Sequence, residues 1–310
     1  MKVKIAVVSP KSYSFPGTTE EQRNVEVAKK YIDEATEDGA KIICFPEGYP
    51  GPFCGSSTYF GANDLCEKAR ENKVYLIAGG LEEGSPGKYY TTAWLIGPDG
   101  KEIGKYRRTT PAGVPIYEVI FGKPFDKLIW GNELPVFKTE YGNIGIIFCT
   151  EVYTPELSRV LALKGADIIF TPSGGILPHA FETWTTLLWA RAIENLVYIA
   201  YCQHMPEPGG FGGTGGGTRI LSPESVLTQS PFEGFITATL DMDRLKLLRG
   251  MIEDVKPPYR RTQPALSSGL GFYSYKNVQI SRKPELYKPI VMEKSELEVL
   301  KQRPRTMSAE

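Results

Sequence analysis

The chain has 310 residues, a hydrophobic content of 41% and equal numbers of basic and acidic side chains, with 36 Lys plus Arg and 36 Asp plus Glu. This content suffices for a substantial core, and the balanced charge argues against bulk attraction to nucleic acid or to an anionic membrane. The expected partner is therefore a small-molecule substrate.

The apolar runs, the cysteines and the histidines indicate where the protein is located and which kinds of site it lacks. The N-terminal apolar run, Ile5 to Val8, is too short for a signal-peptide core, and no later run approaches about 18 apolar residues, so a cytoplasmic location is expected. The chain has five scattered cysteines without a CxxC pair and only two histidines, which argues against a disulfide framework and a metal centre. The cysteines are Cys44, Cys54, Cys66, Cys149 and Cys202.

Apolar, β-branched runs alternate with helix-period stretches from the first residue to about 245, which is typical of a layered α/β domain. A capping-box spacing between Thr18 and Glu21 opens the first helix, and Gly39 closes it. The first predicted elements are, in chain order, a strand over 3–9, a helix over 19–38, a strand over 40–45, a helix over 63–72 and a strand over 74–79.

A hairpin follows, because the turn sequence Gly97-Pro98-Asp99-Gly100 separates two strand-like runs over 90–96 and 101–106. The sheet is therefore expected to be mixed. Thr154 and Pro155 provide the N-cap and first residue of a later helix. The remaining predicted elements are a strand over 143–148, that helix to about 164, a strand over 166–170, a helix over 179–195 and a strand over 196–201.

Two segments lack regular patterning. The glycine-rich stretch 206–217 predicts a loop and has no phosphate-loop motif. From about Met251 the chain is rich in proline and has no strong periodicity before 294–301. We expect one domain over 1–275 and a tail over 276–310 that packs on the domain or on a partner subunit.

Cys149 lies where an apolar strand ends and a capped helix begins five residues later. Such a position exposes the sulfur at a sheet edge. Nearby backbone N–H groups can bind an oxyanion, and the neighbouring helix start favours the thiolate form of the cysteine. A cysteine at this kind of position is more often a small buried hydrophobic side chain. This segment alone therefore does not establish a nucleophile.

Glu47 directly follows another apolar strand, among glycine, proline and aromatic neighbours. Desolvation there is expected to raise the pKa of its carboxyl group and make it a competent base toward a thiol. The alternative is a solvated loop glutamate paired with a lysine. We interpret Cys44, three residues earlier, as structural.

Three cations, Lys105, Arg107 and Arg108, mark a third strand end in the segment GKYRRTTP. They fit either a solvated sheet edge or a source of positive charge for an oxyanion. Lys105 and Arg108 are three positions apart, so along one strand their side chains point to opposite faces and only one can enter the site.

Together these segments resemble the nitrilase superfamily of carbon-nitrogen hydrolases, whose catalytic set is glutamate, lysine and cysteine in that order. The resemblance implies a four-layer α-β-β-α sandwich with mixed sheets, no metal or organic cofactor, and a homodimer or higher homo-oligomer. It is carried by FPE at 45–47, GKYR at 104–107, the segment 142–156, RAIEN at 191–195 and RKPELYKPI at 282–290.

The resemblance implies Glu47 as general base, Cys149 as nucleophile, and an oxyanion hole formed by the cation and the Thr150 N–H. Arg108 occupies the position of the family's lysine, so it is favoured as the cation. Lys105, the nearest lysine, is the alternative.

Two further glutamates match family positions. Glu118 corresponds to a second glutamate that orients the cation, although a plain loop carboxylate fits it nearly as well. Glu151 resembles the nitrile-cleaving branch, in which it is a candidate for substrate binding, whereas amidases commonly have aspartate. The tryptophan that usually precedes that glutamate is replaced by Thr150, so the choice between amide and nitrile stays open.

The predicted function is hydrolysis of a non-peptide carbon–nitrogen bond in a small molecule, an amide before a nitrile, through a thioester on Cys149. One alternative is a cysteine-histidine hydrolase with His179 or His204 as base. The other is a catalytically silent relative that binds a small ligand, which the arginine at 108 favours.

Overall fold

The computed structural model describes residues 1–11, 19–51, 62–111, 127–174, 181–205, 217–249 and 283–291. Contacts divide the chain into two units, Met1–Ile252 and Glu253–Glu310. The predicted domain boundary at 275/276 lies outside the described residues. In the second unit, the described residues form two 3-10 turns, Pro284–Leu286 and Lys288–Val291, with exposed apolar side chains.

The first unit contains two six-stranded sheets in its described part. The strands are β1 Lys2–Ser9, β2 Ile42–Cys44, β3 Tyr75–Ser85, β4 Lys88–Ile96, β5 Glu102–Arg107, β6 Val136–Thr139, β7 Gly142–Ile146, β8 Ile168–Ser173, β9 Tyr198–Gln203, β10 Thr218–Leu221, β11 Val226–Ser230 and β12 Gly234–Asp241. The helices are α1 Thr19–Glu37, α2 Ala62–Asn72, α3 Pro155–Leu163, α4 Phe181–Asn195 and α5 Met242–Leu248.

Each sheet has a parallel centre and antiparallel edges. The order of the first is β12-β1-β2-β3-β4-β5, with β1, β2 and β3 parallel. The order of the second is β11-β10-β9-β8-β7-β6, with β7, β8 and β9 parallel. This arrangement confirms the mixed α/β fold and the four-layer α-β-β-α sandwich expected from the sequence.

Side chains along a strand point alternately into the two cores on either side of its sheet. In β1, Val3, Ile5 and Val7 join the core between the two sheets, whereas Ala6 and Val8 join a second core beneath the helices α1 and α2. Successive side chains of a strand point to opposite faces, so a strand buried on both faces must be apolar at nearly every position. That requirement explains the continuous apolar runs Ile5 to Val8 in β1 and Ile42 to Cys44 in β2.

The structure differs from the sequence prediction at several strand ends. Strand β3 continues to Ser85 and pairs with β4 in a long hairpin. Strand β7 ends at Ile146, and the chain then enters a 3-10 turn, Cys149–Tyr153. Ile147 and Phe148 are fully buried, and an apolar run does not distinguish a buried turn from a buried strand. Strands β6 and β10 to β12 and helix α5 were not predicted.

Within the described residues, no helix is both long and apolar enough to cross a membrane. The same residues contain no group of three or more histidine, cysteine, aspartate or glutamate side chains arranged to hold a metal ion.

Candidate active site

The carboxyl ends of the parallel strands of both sheets meet at one edge of the sandwich. Ser9, at the end of β1, donates its hydroxyl to the backbone oxygen of Gln203 at the end of β9, 2.9 Å away. The His204 ring bonds the backbone oxygen of Glu47 across the same gap, at 2.7 Å. Parallel strands direct their carboxyl ends to one edge, so residues far apart in sequence converge there.

Glu47 follows β2 and is 3% exposed. Its Oε1 accepts a hydrogen bond of 2.5 Å from Nη1 of Arg108. Burial raises the pKa of the Glu47 carboxyl group, and the negative charge of Glu151 adds to this, while Arg108 and the backbone N–H of Gly174 oppose it. The net effect is a raised pKa, which suits a general base.

Arg108 is the first residue after β5 and is 2% exposed. Its backbone N–H still bonds Thr91, but its side chain has turned into the site. Besides Nη1 on Glu47, Nε donates to the Thr110 backbone oxygen at 2.8 Å and Nη2 to the Thr150 hydroxyl. The guanidinium therefore links the base to the segment that carries Cys149.

Cys149 begins the 3-10 turn after β7, with a φ of 42°. Left-handed backbone at a residue other than glycine is sparsely populated and often lies at functional sites. The residue is 8% exposed, so the sequence-based expectation of an exposed sulfur was wrong.

The thiol of Cys149 is held in its protonated form. Burial raises its pKa, and the charge of Glu47 adds to this, while Arg108, the Ser173 hydroxyl and the Gly174 N–H oppose it. The positive charge of Arg108 does not offset burial, so the net pKa of the thiol is raised. A thiol in this state needs a base to become a nucleophile.

Ser173 and Gly174, at the end of β8, were missed by sequence reasoning. The backbone N–H of Gly174 opposes the rise in the pKa of Glu47 and of Cys149, and the Ser173 hydroxyl opposes the rise in the pKa of Cys149 and of Tyr201. Tyr201 in turn donates to Gln203 at 2.7 Å. The signal was the one used for Glu47, a polar residue and a glycine directly after a buried strand.

His204 does not have the geometry of a base. It is 4% exposed, and burial lowers its pKa to about 4. Its Nε2 lies 2.7 Å from the Glu47 carbonyl oxygen, which only accepts, so Nε2 carries the proton. His204 thus positions the Glu47 backbone. His179 lies outside the described residues.

The side chain of Glu151, predicted from the sequence as a substrate-binding residue, is fully buried. It accepts hydrogen bonds from Tyr106, Phe148, Thr109 and Thr110. A buried carboxylate requires such donors, because desolvation without them is costly.

Lys105 does not reach the site. Its ammonium lies 2.7 Å from Oε1 of Glu82, which also accepts from Arg107. Although burial opposes it, hydrogen bonds from Arg107, Lys105 and Thr92 lower the pKa of Glu82 to about 2. The structure thus brings Arg108, and not Lys105, to Glu47. Glu118 lies outside the described residues.

Comparisons with known proteins identify the family. Residues 4–249 match the carbon-nitrogen hydrolase family. The chain is 31% identical over 266 residues to a deaminated glutathione amidase of Synechocystis sp., covering 76% of this chain and 91% of that protein. It is 29% identical over 241 residues to omega-amidase NIT2-A of Xenopus laevis, covering 74% and 87%.

Solved structures share the fold. Nit3 of Saccharomyces cerevisiae, a member of the nitrilase superfamily, superposes with a TM-score of 0.70 at 22% identity, covering 83% of this chain and 96% of that one. An amidase from Nesterenkonia sp. gives a TM-score of 0.66 at 21% identity, covering 84% and 96%. The family resemblance expected from the sequence is confirmed, and this chain belongs to the carbon-nitrogen hydrolase family.

Proposed function

We propose that this protein hydrolyses the amide bond of a small molecule, with Cys149 as nucleophile and Glu47 as general base. One observation carries the proposal: the Glu47 carboxyl group and the Cys149 thiol are both buried, the charge of Glu47 raises the pKa of Cys149, and the charge of Arg108 acts to lower the pKa of both groups. Two relatives named as amidases support an amide as the substrate class.

In the first step, Glu47 takes the thiol proton and the Cys149 sulfur attacks the amide carbon. The pKa of the Cys149 thiol is raised, so the thiol keeps its proton until Glu47 takes it as the C–S bond forms. A tetrahedral oxyanion results.

The oxyanion is stabilised by the positive charge of Arg108 and by the Thr150 N–H at the start of the 3-10 turn. Protonated Glu47 then gives its proton to the departing nitrogen, ammonia or an amine leaves, and a thioester remains on Cys149. Glu47 next takes a proton from water, which attacks the thioester and releases the acid and the thiol.

Arginine in place of lysine changes the site in one respect. A lysine places one point charge, whereas the Arg108 guanidinium is a planar fork that bonds Glu47, Thr150 and Thr110 at once. The cation is therefore held rigidly by the protein before substrate arrives.

The test is an ammonia-release screen over short amides, nitriles and N-carbamoyl compounds. We expect release from an amide by the wild type and by Cys66→Ala, and none above background by Cys149→Ala or Glu47→Gln. Cys66 is a matched control because it is a half-buried thiol on α2, away from the site. Release from nitriles alone would contradict the amide assignment.

A covalent assay addresses the silent-relative alternative. A small electrophilic amide should modify Cys149 faster than the other thiols, as measured by intact mass and peptide mapping. Equal reactivity of Cys149 and Cys66 would refute the choice of nucleophile.

We also propose a cytoplasmic protein whose hydrolase domain spans 1–275 and whose tail, 276–310, packs on the domain or on a partner subunit of a homo-oligomer. Tyr153 ends the 3-10 turn that starts at Cys149, and Trp189 lies on α4; their side chains are 48% and 36% exposed and support self-association through this helical layer. Light scattering tests it, and a monomer at micromolar concentration contradicts it.

A further inference from the structure

The carboxylate of Glu151 joins two segments that carry the proposed catalytic groups. Its Oε1 accepts from the Thr109 N–H at 2.8 Å, the Thr109 hydroxyl at 2.7 Å and the Thr110 N–H at 3.1 Å. Its Oε2 accepts from the Tyr106 hydroxyl and the Phe148 N–H, both at 2.7 Å. The Thr110 hydroxyl also donates to Oε1, at 3.5 Å, and all six donors are uncharged groups of the protein.

These donors lie next to the groups that react. Thr109 and Thr110 directly follow Arg108, and the Thr110 backbone oxygen accepts from Nε of Arg108 at 2.8 Å. Phe148 directly precedes Cys149. A single carboxylate therefore sets the distance between the loop that carries the cation and the turn that carries the thiol, since buried N–H groups left unbonded are costly.

Glu151 also acts through its charge. Its negative charge raises the pKa of Glu47, in addition to the larger effect of burial. Other titratable or charged groups facing this pair of carboxylates in the described structure are Arg108, Cys149, Tyr106 and His204. The pKa values of Cys149 and Tyr106 are raised and that of His204 is about 4, so none of these groups changes charge between about pH 5 and 8.

We propose that Glu151 is a positioning residue for the hydrolysis: it fixes Arg108 and Cys149 relative to each other and does not touch the substrate. The proposal rests on the proposed function, because it takes Glu47 and Cys149 as the base and the nucleophile. It also separates Glu151 from substrate choice, including the choice between amide and nitrile.

The test compares Glu151→Gln, Tyr106→Phe and the control Glu82→Gln. For each variant, kcat is expressed per mole of reactive Cys149 thiol, as determined by titration. In Glu151→Gln the new amide NH2 faces protein donors, so the two segments shift. We expect kcat to fall about 100-fold, as for a misplacement of about 1 Å, with KM changed less than about threefold, as for a lost interaction that only the transition state makes. The acidic limb of kcat/KM should move to lower pH, because a negative charge near Glu47 is lost.

Tyr106→Phe removes one donor but keeps the charge of Glu151. We expect kcat to fall about tenfold, the effect of one hydrogen bond to a charged group, with the acidic limb unmoved. Glu82→Gln, which also removes a carboxylate with several donors, although a partly buried one, should leave kcat and the acidic limb at their wild-type values, because Glu82 bonds Lys105, Arg107 and Thr92 outside the site.

If Glu151 has a purely structural role, Glu151→Gln lowers Tm but keeps a normal kcat per titrated thiol and an unchanged acidic limb of kcat/KM. That result overturns the proposal. Should Glu151→Gln not fold, Tyr106→Phe decides, and a kcat within about twofold of wild type refutes positioning. Glu47→Gln is assayed in parallel. If it keeps wild-type kcat, the proposed function fails; if it is inactive while Glu151→Gln behaves as wild type, only the positioning role fails.

Discussion

Replacing Arg108 tests the central ion pair. Arg108→Met keeps much of the side-chain volume but removes the charge, and it leaves the Glu47 carboxylate, which is 3% exposed, without its cation. Arg108→Lys keeps the charge but cannot bond Glu47, Thr150 and Thr110 together, because one ammonium replaces a fork. The pair of variants therefore separates charge from geometry.

The magnitudes follow from burial. Breaking a buried ion pair from one side costs about 3 to 5 kcal/mol in the free energy of unfolding when the remaining group stays charged. For a domain of this size, that corresponds to a fall in Tm of about 10 °C. Arg108→Lys loses one of three contacts, about 2 kcal/mol for a charge-assisted hydrogen bond.

The pH dependence gives a second, independent readout. The guanidinium lowers the pKa of Glu47, so its removal raises that pKa and keeps Glu47 protonated over a wider range. In Arg108→Met the acidic limb of kcat/KM should therefore move to higher pH. In Arg108→Lys the limb should stay near its wild-type position while kcat falls.

Thermal unfolding at pH 7.5 and pH–rate profiles with one amide substrate measure both effects. An Arg108→Met protein with wild-type Tm and an unmoved acidic limb would refute the coupling between Arg108 and Glu47. An Arg108→Lys protein with wild-type kcat would show that the fork geometry is not used.

In the wild type, kcat/KM should fall as the pH drops through the raised pKa of Glu47, above the usual 4.5, and persist beyond pH 9 because the pKa of Cys149 is also raised; a pH–rate profile that stays flat below pH 4.5 would contradict the raised pKa of the base. Lys105→Ala should keep kcat within about twofold of the wild-type value, because Lys105 bonds Glu82 at 2.7 Å. Loss of activity in a steady-state assay would instead indicate that Lys105 takes part in the reaction. Gly79→Ala should lower the free energy of unfolding by about 1 to 3 kcal/mol and reduce kcat, since a Cβ there lies 2.9 Å from the Gly48 N beside Glu47; urea unfolding checks this, and an unchanged midpoint would contradict it.

The layers and the family were predictable from the sequence, because both depend on local patterns. Strands β1 and β2 are apolar on both faces, the Gly97 to Gly100 turn requires an antiparallel hairpin, and Glu47 and Cys149 each follow an apolar run closely. The sequence placed each of these two residues after a strand, and the structure puts both strands in the parallel centres of their sheets.

The partners of those residues were decided only by tertiary structure. Arg108 contacts Glu47 across 61 positions, and Glu151 contacts Thr109 across 42, so neither contact leaves a pattern in a short window of sequence. The family position favoured Arg108 over Lys105 as the cation, and only the structure showed that Glu82 binds Lys105 while Glu47 binds Arg108. The sequence thus determined which residue types stand at the strand ends, while packing determined their burial, and burial in turn sets the raised pKa values of the base and the thiol.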